Sequence, residues 1–190
     1  GKSRGISRGK SRVISRGISR GISRGISRGI SRGMSRGTNC GNVEELLPQI
    51  AMRVESLASA AERPVRLVGW SLGGYLAREV ARDYPDYVAH GVTLGSPVVG
   101  GPKYTAVAAY YKSQGVDVDA IEAIVDERYE TPLTVPVTAI YSRADGVVAW
   151  EACVDERSPD VEHIEVDGTH LSLGFSPEVL RIVARRLARD

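Results

Sequence analysis

The sequence predicts an α/β protein: a mostly parallel sheet flanked by helices, carrying a helical insertion and preceded by an N-terminal segment of different character. Three observations carry that expectation. Past residue 42, apolar residues recur with helical spacing, then as a short β-rich run, then with helical spacing again. A Gly-x-Ser-x-Gly turn, Gly69-Trp70-Ser71-Leu72-Gly73, joins the run to the second helix. Three more strand-like runs, at 91–95, 136–141 and 161–166, follow along the chain.

The chain has 190 residues, a length suited to one ordinary domain, with 25 Lys and Arg against 23 Asp and Glu. Residues 1–36 hold nine Arg, two Lys and no acid, for +11, so residues 37–190 hold 14 bases and 23 acids, for −9. No apolar run approaches 18 residues, which excludes a transmembrane helix. Two cysteines, Cys40 and Cys153, exclude a disulfide scaffold and a four-cysteine zinc module, and nothing supports a bridge between them. The basic N-terminus lacks the apolar stretch of a secretory signal, so the expected location is the cytoplasm.

From Ser3 the chain repeats Ser-Arg-Gly-Ile every four residues for nine units, until Asn39-Cys40-Gly41-Asn42 breaks the pattern. A glycine in nearly every unit costs about 1 kcal/mol relative to alanine in a helix, and strand alternation produces no apolar face. Residues 1–37 are therefore expected to be a disordered low-complexity segment. Arginine at every fourth position resembles segments that contact phosphates, but no aromatic residue is present to stack on bases. A short tandem nucleotide repeat would encode the same pattern. Nucleic acid is the less favoured partner, and we assign the repeat no function.

The body, residues 38–190, begins with Val43, Leu46, Leu47, Ile50, Ala51, Val54 and Leu57 at helical spacing, with Glu44 and Glu45 where the helix dipole favours acids. Pro48 falls early enough to be tolerated. Residues 64–68 form the β-rich run ahead of the Gly-x-Ser-x-Gly turn, and Leu76, Val80 and Ala81 line the helix that ends at Tyr84-Pro85. Residues 101–133 belong to neither neighbouring strand. Tyr104, Val107, Ala108 and Tyr111 have helical spacing, as do Val118, Ile121, Ile124 and Val125, with Gly115 between them, and the segment reads as a helical cap.

A serine on a sharp turn between strand and helix is a candidate nucleophile, with the Leu72 amide at the helix start as one oxyanion donor. A serine needs a base, and the base needs an orienting acid. Of three histidines, His90 precedes the strand 91–95 and so lies at the wrong end of it. His163 sits inside the alternating strand 161–166. His170 follows that strand in a loop at its carboxyl end, where open α/β sheets gather their sites. Asp145 occupies the corresponding loop after strand 136–141 and is the favoured acid. Asp167 shares the loop of His170 and Asp126 lies on a charged helix, so both read as solvated.

With Ser71, Asp145 and His170 in that order, the chain resembles the α/β-hydrolase superfamily, specifically its bacterial esterase and lipase-like branch, over about residues 39–190. The blocks that carry the resemblance are Val68-Gly69-Trp70-Ser71-Leu72-Gly73-Gly74, Val92-Thr93-Leu94-Gly95-Ser96-Pro97, Tyr141-Ser142-Arg143-Ala144-Asp145-Gly146-Val147-Val148 and Gly168-Thr169-His170-Leu171-Ser172-Leu173-Gly174. It implies that Ser71 attacks an ester carbonyl, that His170 shuttles the proton and that Asp145 orients His170. Trp70, Tyr104 and Tyr111 are expected to touch a small-molecule or lipid ester, with no metal or organic cofactor. Upstream the chain departs from the family. The strands and the loop with the second oxyanion donor that precede the first helix of the body have no counterpart here, so a partial hydrolase fold is expected, with strand 64–68 at an apolar edge and hydrolysis weakened by the missing donor.

Two other readings use the same sequence. Acyl transfer to an acceptor other than water needs the same three residues, whereas a non-catalytic hydrolase-like remnant would act through its Arg-rich tail. The oligomeric state is not encoded in any of these motifs. Deleting residues 1–37 is expected to leave the midpoint of a thermal melt unchanged while altering solubility, because it removes +11 from a body of −9. A large fall in the melting temperature would show that the repeat packs on the body.

Overall fold

The computed structural model describes residues 43–188. The Ser-Arg-Gly-Ile repeat, Cys40 and the Asn39–Asn42 break lie outside the described residues. Helix α1 (Val43–Ala61) leads to strand β1 (Val65–Trp70), helix α2 (Leu72–Asp83) and strand β2 (Val88–Leu94). A short helical turn (Gly101–Tyr104), helix α3 (Ala108–Ser113) and helix α4 (Val118–Tyr129) follow, then strand β3 (Val137–Tyr141). After a further turn (Trp150–Cys153) come strand β4 (Val161–Glu165), the one-turn helix α5 (His170–Leu173) and helix α6 (Pro177–Leu187). The four strands form one parallel sheet in the order β1-β2-β3-β4.

Each face of the sheet is covered, as a parallel sheet requires. On one face, Leu47, Ala51 and Val54 of α1 and Leu76, Val80 and Ala81 of α2 close over Val88 and Val137, with Leu133 and Val135 at the margin. On the other, Val179 and Leu173 meet Val92, Leu94, Ile140 and Val166. Among the described residues β1 is an edge strand, with Val68 44% and Trp70 37% exposed, in keeping with the apolar edge expected from the sequence.

The strands differ from their expected bounds in instructive ways. Strand β1 runs two residues beyond Val68, because Gly69 and Trp70 still pair with Thr93 and Leu94 and the chain turns only at Ser71. His90 does not precede β2 but lies within it, its Nε2 3.0 Å from Thr138 Oγ1 on the neighbouring strand. His163 accepts a 3.0 Å hydrogen bond from the Asp155 amide at Nε2, in the tautomer this geometry implies. His170 is the first residue of a helical turn rather than part of a loop, because Thr169 caps that turn through the Ser172 amide.

A buried polar seam ties the layers together. Arg78 and Asp155, 2% and 3% exposed, form an ion pair. Burial opposes ionisation of Asp155, but the Ser158 hydroxyl and amide and then the Arg78 guanidinium outweigh it and hold the carboxyl well below the usual carboxylate range. At the next position of α2, Glu79 is paired with Arg128 of α4, which also reaches Asp83 at 3.0 Å. The Tyr129 hydroxyl accepts the Glu156 amide at 2.9 Å. Thus the far end of α4 is bolted to α2 and to the loop ahead of β4. At its near end, Lys103 bridges Asp119 at 3.0 Å and Glu122 at 2.5 Å.

Asp155→Asn leaves a buried guanidinium unpaired and is expected to cost about 3–5 kcal/mol in urea unfolding. The wild-type contribution has a definite sign with pH. A carboxyl depressed in the folded state stabilises fully above its unfolded value, about 3.9, and that stability disappears as pH falls through the lower folded value. The acid limb of a stability–pH curve should therefore be shallower in Asp155→Asn than in wild type.

Candidate active site

Ser71 sits between β1 and α2 at φ 54° and ψ −125°, a left-handed conformation that costs a non-glycine residue about 1–3 kcal/mol. The surroundings enforce it. The Ser71 amide donates to the Leu94 carbonyl at the end of β2 at 2.9 Å, and the Ser71 carbonyl accepts from Gly74 at 3.0 Å. A Cβ on Gly69 would lie 2.2 Å from the Gly73 carbonyl oxygen, and one on Gly74 would lie 1.9 Å from Ser96 Oγ. Only glycine at both positions lets the strand, the turn and the helix approach this closely. The Leu72 amide opens α2, where no preceding turn supplies an acceptor.

Asp145 lies in the loop after β3 with its side chain 2% exposed. Its two oxygens have different duties. Oδ1 accepts the Val147 and Val148 amides at 2.8 and 2.9 Å, which fixes the carboxylate, and Oδ2 lies 2.7 Å from Nδ1 of His170. The pair rests on Gly95, the residue after β2. At φ +51°, a Cβ there would come within 2.8 Å of Asp145 Oδ2 and 3.2 Å of His170 Nδ1. Since Gly95 follows the Leu94 that holds the Ser71 amide, all three residues gather at the carboxyl end of the sheet. Asp126 and Asp167 are exposed and outside this arrangement.

Trp70, next to Ser71, donates its indole N–H to the His170 carbonyl at 3.1 Å, and the two rings lie 5.5 Å apart at 33°. Tyr104 is 47% exposed, and its carbonyl accepts the Ala149 amide at 3.0 Å, while Thr105 forms an antiparallel bridge with Val148. The start of segment 101–133 is therefore stitched to the loop of Asp145. Tyr111 lies farther along, in α3, with its ring 6.2 Å from that of Tyr110. Cys153 is buried near Asp145. Burial, then the Asp145 charge, push its thiol up to about 12, so it remains protonated and a poor nucleophile.

The roles of Gly95 and Val147–Val148 escape sequence reasoning, although Gly95-Ser96-Pro97 at the end of a strand marks a special turn. Among the described residues no group of three or more His, Cys, Asp or Glu gathers to hold a metal, and no helix is long and apolar enough to cross a membrane.

No family model and no curated protein sequence matches the chain. Solved structures do resemble it. A monoacylglycerol lipase of Paleococcus ferrophilus is 18% identical with a TM-score of 0.57, over 84% of this chain and 78% of that one. A lipase-esterase related protein of Clostridium acetobutylicum is 16% identical with a TM-score of 0.55, over 82% and 79%. An esterase of Pyrococcus furiosus is 19% identical with a TM-score of 0.53, over 82% and 65%. Taken with the four-stranded parallel sheet, its flanking helices and the serine turn after β1, these likenesses show that the chain has the α/β-hydrolase fold.

Proposed function

We propose that the protein is a serine hydrolase of carboxylic esters. The observation that carries the reading is the 2.7 Å Asp145–His170 bond, set at the same end of the sheet as a serine held in a strained turn. In this reading Ser71 Oγ attacks the ester carbonyl while Nε2 of His170 takes its proton. Asp145, bonded to Nδ1, keeps the imidazole in the tautomer with Nε2 open and stabilises the imidazolium that forms. The Leu72 amide donates to the oxyanion. His170 then protonates the departing alkoxide, releasing the alcohol and leaving the acyl group on Ser71. In the second half, His170 deprotonates a water that attacks the acyl carbonyl, and the proton returns to Ser71 as the acid leaves.

For the substrate, the partly exposed ring of Trp70 beside His170, and that of Tyr104, whose carbonyl holds the Ala149 amide after the Asp145 loop, would supply the apolar surface that an ester with a hydrocarbon portion requires. Tyr111 would contribute through the cap. Because α4 is bolted at both ends, the part of 101–133 free to act as a lid is α3, six residues long with none of them buried.

Ser71→Ala and His170→Ala should each lower kcat toward short p-nitrophenyl esters by about 10⁶-fold, and Asp145→Asn by about 10⁴-fold. The Ser71→Ala/His170→Ala double variant should be no worse than either single one, because the residues act as a unit. An activated fluorophosphonate should label wild type at Ser71 and leave Ser71→Ala unlabelled. Undiminished hydrolysis by Ser71→Ala would sink the reading, whereas a neutral Asp145→Asn beside a crippled Asp167→Asn would move only the acid.

A further inference from the structure

His170 follows the strand at one edge of the sheet, and Ser71 follows the strand at the other. Three interstrand spacings, about 14 Å, separate those edges. The chain after β4 must therefore reach back over the ends of β3 and β2, and something must hold it where it arrives. Leu173, fully buried, anchors α5 from below. The Asp145 bond holds the imidazole from the β3 side. On the β1 side, the contact is Trp70.

We propose that Trp70 is the positioning residue that latches the His170 backbone to the serine turn, an inference that rests on the hydrolase reading above. The indole N–H, a donor only, bonds to the His170 carbonyl at 3.1 Å. That carbonyl is available because the Gly174 amide bonds to Leu171 and Ser172 instead of closing a full helical turn on His170. The indole face lies along the imidazole at 5.5 Å. Beyond it, Phe175 meets Trp70 edge-on at 6.3 Å, and a Cβ on Gly174 would lie 3.6 Å from the indole, in ordinary contact. The residue immediately before the nucleophile is thus hydrogen-bonded to the residue that bears the base, 100 positions away in sequence. A shift of the histidine segment relative to Ser71 breaks that bond, so the latch opposes the motion that would spoil the serine–histidine geometry.

The test separates the N–H from the ring. Trp70→Phe keeps an aromatic face and removes the donor. Site-specific replacement of Trp70 by benzothienylalanine keeps the bicyclic ring, puts sulfur where the N–H was, and guards against a folding defect in the first variant. Both should slow fluorophosphonate labelling of Ser71 and lower kcat for a short ester about tenfold, the effect of one hydrogen bond, with KM unchanged. Both should also broaden the far-downfield proton resonance of the Asp145–His170 bond. A rise in KM at constant kcat would overturn the latch and leave Trp70 as a substrate contact alone. Equal labelling of wild type and both variants would overturn the latch alone. Wild-type protein that resists labelling would overturn the hydrolase reading and this inference with it.

Discussion

A side chain at position 69, near the end of β1, would meet the Gly73 carbonyl oxygen of α2 at 2.2 Å. Everything at the carboxyl end of the sheet depends on that contact. It forces the chain to reverse within one residue, and Ser71 absorbs the reversal as a left-handed backbone. The strain is offset because the same residue donates to β2 and its carbonyl caps the start of α2. A looser junction would let the backbone relax and carry the serine away from the end of β2.

The second constraint is the polar seam beneath. Arg78–Asp155 and Glu79–Arg128 hang from α2, the helix that starts at the serine turn, so α2, α4 and the loop before β4 form one unit. A buried ion pair is a weak source of net stability, since desolvation offsets most of its attraction. Its consequence here is geometric: the helix that fixes the serine is registered against the loop that leads into β4, from which the histidine segment departs. The conformational freedom left in the insertion then falls on α3, which buries none of its residues.

Charge and packing cooperate at the histidine too. One oxygen of Asp145 is committed to two backbone amides, which leaves the other aimed at His170. Gly95 supplies the floor because any side chain there would displace the pair. The aromatic contact from Trp70 closes the arrangement on the side where the sheet has its exposed edge.

The sequence by itself determined the order of helices and strands through β4 and the end of the sheet at which the candidate site lies. Periodicity separates α1 from β1, the Gly-x-Ser-x-Gly turn names Ser71, and the positions of Asp145 and His170 after their strands put both at the carboxyl end, because these are properties of local spacing. Most strand bounds were legible to within two residues, but the start of β2 was missed by three, because Val88, Ala89 and His90 extend it by pairing that no local pattern announces. Only the tertiary structure decided which oxygen of Asp145 faces His170, that Gly95 lies under both, that Arg78 finds Asp155, and that Trp70 meets the His170 carbonyl. The physical reason is the same in each case. These contacts join residues from 25 positions apart, as in Asp145 with His170, to 100, as in Trp70 with His170, and a contact across such a separation is specified by how the layers pack, not by the spacing of residues along the chain.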